Sequence, residues 1–379
     1  MVEHVTTLGA PISPHSSLKA DAQHSIIESL NRNVSEPLMT PSLNVLITGA
    51  GTVTCQSVIK GLRQQSEIQV HITTVDPNQR SAGRYLGDAF HIVPLANELS
   101  FVPALLEIVQ SHGIQLLIPI VDYEFLKFAE NRPGFERLGC HVAISSPQTV
   151  ALCNEKEKTS QFFIENAIPT PKTWVPSELP HPGALPYPIF VKPRTGRSSI
   201  DVHKICDIEE FYFWQGRVDD PLYQEFVEGE ECTIDVLSDF QGRVIGAVPR
   251  IRIETKGGVS YKGLTIRDPE MVSAGKLIAE KAGIIGPANI QCFKTSAGLV
   301  FIEINPRFSG SLPLTIAAGF NSPLLLAKCA LGHKVASLVD EFEDGLLMLR
   351  FWDEVYVSNS GCARRITIPL GGKKTCDRD

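Results

Sequence analysis

Three polar residues, Glu303, Asn305 and Arg307, occupy every second position at the end of a hydrophobic stretch. The strand-forming residues from Leu299 to Ile304 predict a β-strand. Side chains two positions apart in a strand point to the same face, so these three groups line up. Magnesium binds carboxylate and amide oxygens together with substrate phosphates, and a guanidinium neutralises a transferring phosphoryl group. The alternative is an amphipathic edge strand with a solvated polar face.

Residues 289–295 predict a preceding strand, joined to the first by a Ser-Ala-Gly turn, and Gln291 on it could supply another oxygen. The string Glu-Ile-Asn-Pro-Arg at 303–307, with Gln291 upstream, resembles the magnesium-binding segment of the ATP-grasp superfamily. It looks most like the branch that contains the carbamoyl-phosphate synthase large chain and related carboxylate–amine ligases. The resemblance implies that Gln291, Glu303 and Asn305 bind magnesium, and that Arg307 stabilises the transferred phosphoryl group.

Two lysines upstream fit the same family. The segment Asn-Glu-Lys at 154–156, followed by Ala-Ile-Pro-Thr-Pro, resembles the part that carries the first nucleotide-contacting lysine, although Glu155 replaces the usual Asp. Residues 187–193 predict a strand that ends at Lys192, and a lysine at the end of a buried strand is costly unless an anion receives it. For Lys156 the alternative is an exposed helix lysine.

Residues 194–202 resemble the loop that covers the phosphates in this family, and residues 222–235 resemble the hinge that meets adenine and ribose. The loop is poor in glycine, since Ser198 and Asp201 stand where relatives commonly have Gly. A plain β-hairpin with an acidic turn is the alternative for the hinge. The resemblance implies these ATP contacts: Lys156, Lys192, Ser198, Ser199, Glu225, Phe226, Val227 and Glu231.

Arg250, Arg252 and Glu254 alternate along another predicted strand and should therefore share a face. Arginine suits bidentate recognition of carboxylates and phosphates, so this face predicts a cradle for an acyl phosphate, with Arg250 as a catalytic residue. A solvated basic face is the alternative. Ser309 and Gly310, just past the metal strand, offer backbone N–H groups near the same place.

The N-terminal part alternates strands with helices from Leu43 onward, which predicts a parallel sheet with right-handed crossovers. Asp122 and Glu124 follow its fourth strand and are predicted to contact a substrate amine, the alternative for Asp122 being a helix cap. Downstream, a single helix is predicted from Ser146 onward.

The turn Gly49-Ala50-Gly51, with Asp76 as a ribose ligand, also fits a dinucleotide site, but Thr54 replaces the third glycine of that fingerprint. ATP-grasp enzymes similarly begin with a degenerate Rossmann-like domain that binds no dinucleotide.

The resemblance implies an α/β chain with the ATP-grasp fold. A Rossmann-like N-terminal parallel-sheet domain precedes a small α+β lid subdomain and a larger C-terminal α+β subdomain, and these two sandwich ATP. We assign residues 1–42 to an N-terminal extension and 43–150 to the Rossmann-like domain. Residues 151–224 then form the lid subdomain, and 225–379 the C-terminal subdomain.

Composition narrows the functional class further. The net charge of −7, without a long basic run, argues against nucleic acid as a partner. No apolar run approaches the roughly 20 residues that span a bilayer, so no membrane partner is expected. Nine scattered cysteines fit reduced thiols, and we expect a cytoplasmic protein.

The implied function is ATP-dependent ligation of a small carboxylate to a small amine, with ATP and magnesium as cofactors. ATP phosphorylates the carboxylate, and the amine attacks the acyl phosphate. Bicarbonate phosphorylation of the carbamoyl-phosphate synthase type, or a non-catalytic nucleotide-binding role suggested by the glycine-poor loop, are the alternatives. The resemblance also leaves room for a homodimer.

Overall fold

The computed structural model of the chain describes residues 40–196 and 200–365. Residues 1–39 of the N-terminal extension lie outside this range, as do the predicted nucleotide contacts Ser198 and Ser199. The described residues from Ser42 onward form one compact unit, and the division at 43–150, 151–224 and 225–379 remains a proposal.

The N-terminal part is a parallel sheet of five strands. They are β1 (Ser42–Ile47), β2 (Gln69–Asp76), β3 (Ala89–Ile92), β4 (Leu116–Ile118) and β5 (His141–Val142). Their order is β3-β2-β1-β4-β5, and every pairing is parallel, as the sequence predicts. Because the order reverses between β1 and β4, a crevice forms at the carboxyl ends of these two strands, where open α/β sheets bind ligands.

Helices cover both faces of this sheet, which explains why apolar side chains on both faces of its central strand β1 are buried. The helices are α1 (Val53–Arg63), α2 (Phe101–Ser111) and α3 (Phe125–Glu136). Val45 and Ile47 pack into one hydrophobic cluster, whereas Leu46 between them packs into another on the opposite face.

Two helices, α4 (Pro147–Asn154) and α5 (Lys156–Glu165), replace the single helix predicted from Ser146, so that prediction is wrong. Glu155 separates them because its backbone is extended, with φ −103° and ψ 109°. The break places Lys156 in the first turn of α5, where backbone N–H groups lack partners within the helix. The Lys156 N–H instead donates to the carbonyl oxygen of Arg194 at 3.1 Å, which ties α5 to the next sheet.

That next sheet has four strands, β6 (Thr173–Trp174), β7 (Ile189–Pro193), β8 (His203–Ile205) and β9 (Pro221–Glu225), in the order β6-β9-β7-β8. Helix α6 (Ile208–Trp214) packs on it, and the two share a small core that includes Ile189, Val191 and Phe211. We call this sheet with α6 the lid sheet.

The C-terminal part is an antiparallel sheet of six strands. They are β10 (Glu230–Ser238), β11 (Val244–Lys256), β12 (Val259–Thr265), β13 (Gly286–Thr295), β14 (Gly298–Asn305) and β15 (Leu347–Leu349). Their order is β14-β13-β10-β11-β12-β15, and helix α7 (Pro269–Ala282) packs against β10 and β11. We call this the floor sheet.

The remaining elements are short. Helices α8 (Leu312–Ala317) and α9 (Ser322–Ala330) follow β14, and strands β16 (Val355–Val357) and β17 (Ala363–Arg365) pair with each other. In the part of the chain that the structure describes, four 3₁₀ helices span Ala82–Tyr85, Asp122–Glu124, Pro176–Glu178 and Pro182–Ala184. Within residues 40–196 and 200–365, no helix is both long and apolar enough to cross a bilayer.

Candidate active site

A cavity of about 880 Å³ is lined by residues of the N-terminal sheet, the lid sheet and the floor sheet. Most of the residues singled out from the sequence line it. They are Asp122, Glu124, Lys156, Lys192, Glu225, Val227, Glu231, Arg252, Gln291, Glu303, Asn305, Arg307, Ser309 and Gly310. Arg250, Phe226 and Glu254 do not line it, which departs from the sequence prediction.

The predicted magnesium ligands lie together on the cavity face of two paired strands. In the antiparallel register of β13 and β14, Gln291 is opposite Glu303 and Asn289 is opposite Asn305. The alternation predicted for Glu303 and Asn305 therefore holds, and Gln291 joins them from the neighbouring strand.

Asn289, which the sequence analysis missed, orients the Asn305 side chain. Its Nδ2 donates to the backbone oxygen of Arg307 at 3.1 Å, so its Oδ1 is the atom left to accept a hydrogen bond. Asn305 Nδ2 donates to that Oδ1 at 3.3 Å, which leaves Asn305 Oδ1 for a metal ion. The sequence did carry a signal for Asn289, because this residue lies two positions before Gln291 and therefore on the same face of the strand.

These residues fit magnesium. One carboxylate and two amide groups supply hard oxygen atoms, and magnesium usually completes its octahedron with water and substrate phosphates rather than with a protein cage. The described residues contain no cluster of three or more His, Cys, Asp or Glu side chains that could hold a metal.

Two lysines bring positive charge to the Glu303 carboxylate. Burial lowers the pKa of Lys192 to about 8, while the negative charge of Glu303 opposes this shift and the charge of Lys156 adds to it. Burial also lowers the pKa of Lys156, again opposed by Glu303. Lys192 Nζ donates to Gln224 Oε1 at 2.7 Å, and Lys156 Nζ donates to the Pro193 carbonyl oxygen at 3.2 Å. A triphosphate would bring further negative charge to these two partly buried lysines.

The predicted hinge divides into cavity-lining and non-lining residues. Val227, Glu225 and Glu231 line the cavity, and the Glu225 carboxylate accepts the Lys172 backbone N–H at 3.0 Å. Phe226 turns its ring elsewhere, with Lys204 Nζ 3.9 Å from the ring centroid. The resemblance implies a contact to adenine through the backbone around Phe226, and this stays a prediction, while the ring packs within the lid sheet.

The three alternating residues of β11 do not share one environment. Arg252 lines the cavity and forms an ion pair with Glu231, whereas Arg250 is fully buried beneath the loop after β14. Arg250 Nη2 donates to Asp235 Oδ1 at 2.6 Å and to Ser309 Oγ at 3.0 Å. It therefore supports the Ser309 loop from below, which corrects the prediction that Arg250 contacts the transferred group.

Glu254 does not lie on the cavity face because the strand pairing is irregular around it. The pairing of β11 with β12 shifts register on both sides of Glu254, and such irregularities turn side chains out of the regular alternation. Its carboxylate pairs instead with Lys262 at 2.7 Å and Lys256 at 3.5 Å. The prediction of Glu254 as a substrate contact is not supported by this geometry.

The 3₁₀ turn at Asp122–Glu124 forms the cavity wall on the side of the N-terminal sheet. Arg307 Nε donates to Asp122 Oδ1 at 2.9 Å, an ion pair between residues far apart in the sequence. Glu124 is buried, and its Oε2 accepts a hydrogen bond from Thr48 Oγ1 at 2.6 Å. Asp122 is therefore occupied by Arg307 rather than capping a helix with its side chain.

Comparisons with known proteins agree with this fold and site. A family model described as "ATP-grasp in the biosynthetic pathway with Ter operon" matches residues 217–349, and one described as "PylC-like, N-terminal domain" matches residues 45–143. Residues 217–349 are thus similar to an ATP-grasp domain, in agreement with the fold and the site. In this chain, an ATP-grasp domain follows a PylC-like N-terminal domain.

Two curated proteins and one solved structure illustrate the likeness. The 3-methyl-D-ornithine–L-lysine ligase of Methanosarcina acetivorans is 26% identical over 276 residues, which cover 72% of this chain and 70% of that protein. The carbamoyl phosphate synthase large chain of Gemmatimonas aurantiaca is 25% identical over 308 residues, or 75% of this chain. This chain spans only about 27% of that protein's length.

The solved structure is the biotin carboxylase domain dimer of Hydrogenobacter thermophilus 2-oxoglutarate carboxylase, in complex with MgADP, ADP and bicarbonate. It superposes with a TM-score of 0.61 at 16% identity and covers 80% of this chain and 73% of that chain. At this identity the likeness concerns the fold, which agrees with the ATP-grasp architecture expected from the sequence.

Proposed function

We propose that this protein is an ADP-forming ligase that uses ATP to activate a carboxylate as an acyl phosphate, which an amine then attacks to form a C–N bond. One observation carries the proposal: a cavity wall on which Gln291, Glu303 and Asn305 present oxygen atoms while Lys156 and Lys192 lie within electrostatic reach of Glu303. Phosphoryl transfer needs this combination of metal ligands and phosphate-binding cations and no covalent nucleophile.

Amino acids are the substrate class that we propose. The M. acetivorans relative is named as a ligase of 3-methyl-D-ornithine and L-lysine, and it matches most of this chain. The cavity also holds both signs of charge that an amino acid needs, because Arg252, Arg307 and Glu124 all line it. These groups are suited to a carboxylate and an ammonium group, respectively.

In the first step, an oxygen of the substrate carboxylate attacks the γ-phosphorus, and ADP leaves. Lys156 and Lys192 would hold the phosphates in line, and Arg307 would neutralise charge on the transferred group. Magnesium, held by Gln291, Glu303 and Asn305, would supply further charge neutralisation at the phosphates.

In the second step, the amine attacks the carbonyl carbon of the acyl phosphate, the C–N bond forms, and inorganic phosphate leaves. Ser309 and Gly310 line the cavity, and the buried Arg250 donates a hydrogen bond to the Ser309 hydroxyl. We propose Arg250 as a positioning residue and Arg252 as the direct contact to the substrate carboxylate. Glu225, Val227, Glu231 and the backbone at Phe226 stay proposed contacts to the nucleoside, as do Ser198 and Ser199 to the phosphates.

A screen of ADP release tests the proposal. Purified protein is mixed with MgATP and pairs of the standard amino acids, and any active pair is analysed by mass spectrometry. We expect amide products, and we expect Glu303→Gln or Asn305→Ala to abolish ADP release while Glu130→Gln, an exposed control on α3, does not. Full ADP release by either site variant would reject the metal assignment.

The likeness to a carbamoyl phosphate synthase large chain makes bicarbonate with ammonia a required arm of the same screen. If this pair alone stimulates ADP release and carbamoyl phosphate accumulates, the amino-acid ligase proposal is wrong. Slow ATP turnover that no carboxylate stimulates would instead indicate a non-catalytic nucleotide-binding protein.

We further propose a homodimer that acts in the cytoplasm. The H. thermophilus neighbour is a dimer, and the edge strand β15 and the residues after it expose Leu347, Leu349, Phe351 and Trp352, which is an apolar surface suited to a second copy. The cysteines among the described residues are free thiols, as expected where thiols stay reduced. Light scattering of the purified protein should give twice the mass of 41.5 kDa.

A further inference from the structure

We propose that Glu124 is the general base of the ligation step, accepting the proton that the ammonium group of the second substrate must lose before its nitrogen can attack. This inference rests on the proposed ligase function and assigns a chemical step to a residue of the N-terminal sheet. An ammonium nitrogen has no free electron pair, so amide formation needs such a proton acceptor in the cavity.

The position of Glu124 suits this role. It ends the 3₁₀ turn that follows β4, at the crevice where the strand order of the N-terminal sheet reverses. It lines the cavity although only 5% of its surface is exposed. In the same turn, Asp122 pairs with Arg307, the residue proposed to hold the transferred phosphoryl group. Glu124 therefore lies on the wall that an amine would contact on its way to the acyl phosphate.

A short chain of hydrogen bonds fixes the carboxyl group. The Ile120 backbone N–H donates to Thr48 Oγ1 at 3.0 Å, and Thr48 Oγ1 donates its single proton to Glu124 Oε2 at 2.6 Å. Thr48 thus accepts from Ile120 and gives its hydroxyl hydrogen to Glu124, which fixes the orientation of both side chains. Oε2 is therefore an acceptor for Thr48, and the carboxylate lines the cavity from which a proton would arrive.

The groups around Glu124 set its affinity for that proton. Burial raises the pKa of Glu124 to about 7; hydrogen bonds with Thr48 and the Val121 backbone oppose the shift, and the charges of Asp76 and Asp122 add to it. From α1, the Cys55 thiol faces the same region, and its own pKa is raised by burial, so it stays neutral. The positive charge of Arg307 is paired with Asp122. A base with a pKa near the working pH is well matched to proton transfer.

Every proton in this step is accounted for without a further reactant. The ammonium group gives one proton to the Glu124 carboxylate, and the neutral nitrogen attacks the carbonyl carbon of the acyl phosphate. The C–N bond forms, the bond from carbon to the phosphoryl oxygen breaks, and the second nitrogen-bound proton leaves with the phosphate as hydrogen phosphate. Glu124 then returns its proton to solvent.

The proposed role of Glu124 can be tested with two small nucleophiles of nearly equal size, of which only one needs a base. Methylamine is almost fully protonated near neutral pH and needs a base, whereas hydroxylamine is largely unprotonated and does not. Each is supplied with MgATP and the standard amino acids as carboxyl donors, and hydroxamate and methylamide are measured from pH 6 to pH 10. We expect Glu124→Gln to keep hydroxamate formation and to lose methylamide formation near neutral pH by about 10²-fold or more. Its methylamide rate should recover as the pH rises and free methylamine accumulates.

Two further variants control for structure. Glu130→Gln makes the same change on the exposed face of α3 and should leave both products unchanged. Thr48→Val removes the hydrogen bond that stabilises the charged form of Glu124, so the methylamide pH profile should move to higher pH while the hydroxamate profile stays in place. If Glu124 only supported the structure, its substitution would change the pH profiles of methylamide and hydroxamate formation together.

Equal loss of both products in Glu124→Gln, loss of neither, or a wild-type protein that forms hydroxamate but no methylamide would each overturn the assignment of Glu124. If the wild-type protein forms no hydroxamate with any amino acid, the proposed ligase function itself fails, and this inference falls with it.

Discussion

At the scale of single residues, the site depends on charges that are buried but not fully compensated by the protein. Lys192 is the clearest example, because its ammonium group lies at the end of β7 with the Gln224 amide oxygen as its described hydrogen-bond acceptor. Burial lowers its pKa to about 8, so above pH 8 the folded protein has released a proton that the unfolded chain keeps up to its ordinary value of 10.5. Folded stability therefore gains with pH between these two values, and a bound anion should reverse the proton loss.

We expect Lys192→Met to weaken the binding of a non-hydrolysable ATP analogue by roughly 10- to 100-fold, the value of a charge-assisted hydrogen bond. Wild-type protein should take up protons on binding at about pH 8.5, because the phosphate restores the charge of Lys192, and the variant should not. Calorimetric titration in two buffers of different ionisation enthalpy measures both quantities. Lys276→Met, on the exposed face of α7, is the control. Unchanged affinity and proton uptake in Lys192→Met would contradict the phosphate role.

Asn289 provides a second prediction at this scale, because it acts on the metal only through Asn305. Asn289→Leu removes the acceptor that orients the Asn305 amide, and loss of such outer-shell partners costs about 10- to 100-fold in metal affinity. The magnesium concentration that half-saturates ADP release should rise accordingly, while the exposed Asn131→Ala variant behaves as wild type. A magnesium dependence unchanged by Asn289→Leu would show that Asn305 needs no such support.

At the scale of elements, the turn between β1 and α1 determines what the N-terminal sheet can bind. Gly49 has φ +61°, and a Cβ atom there would lie 2.7 Å from Val121 Cγ2, next to the Asp122–Glu124 turn. Gly51 donates its backbone N–H to Asp76 Oδ2 at 2.8 Å, and Asn78 donates its own to Oδ1 at 2.8 Å. The acidic residue that a dinucleotide site would use for ribose is thus engaged with the turn itself.

Gly49→Ala should lower the midpoint of thermal unfolding more than Gly139→Ala does. Both glycines have positive φ, which costs an alanine about 1–2 kcal/mol, but a Cβ atom at Gly139 meets nothing within 4 Å. The difference between the two variants therefore isolates the clash with Val121. Equal shifts would mean that Val121 moves aside without cost.

NADH and NADPH should not bind this turn. Thr54 replaces the glycine that allows close packing of helix and strand under a pyrophosphate, and Asp76 is held by backbone N–H groups. NADH fluorescence titration should show no saturable change in the micromolar range. A saturable enhancement that Gly51→Val abolishes would show that the turn is a dinucleotide site after all.

At the scale of the whole molecule, patterns local in sequence predicted the structure well. Alternation placed Glu303 and Asn305 on one face of β14, and the order of strands and helices predicted the parallel N-terminal sheet. The sequence analysis missed features that depend on contacts between residues far apart in the sequence or on irregular backbone. The bulge at Glu254, the loop that covers Arg250 and the pairing of Asp122 with Arg307 each arise from contacts that no periodicity encodes.

The break between α4 and α5 is a related case. Helical propensity favours one continuous helix through Glu155, but the bond from the Lys156 backbone N–H to the Arg194 carbonyl oxygen belongs to the tertiary structure. Its consequence is functional, because it sets Lys156 at the start of α5, facing the cavity. Local propensity therefore fails at a place where the fold positions a proposed phosphate contact.

The central claim, that the molecule brings ATP and a carboxylate together for phosphoryl transfer, has one direct test. The amino acid that gives the largest ADP release is supplied with ¹⁸O in both carboxylate oxygens, together with MgATP and hydroxylamine, and the released phosphate is analysed by mass spectrometry. Our account predicts that each phosphate carries one ¹⁸O atom, because the carboxylate oxygen that attacks the γ-phosphorus leaves with it. Phosphate without ¹⁸O would mean that water attacks ATP, and would contradict an acyl phosphate.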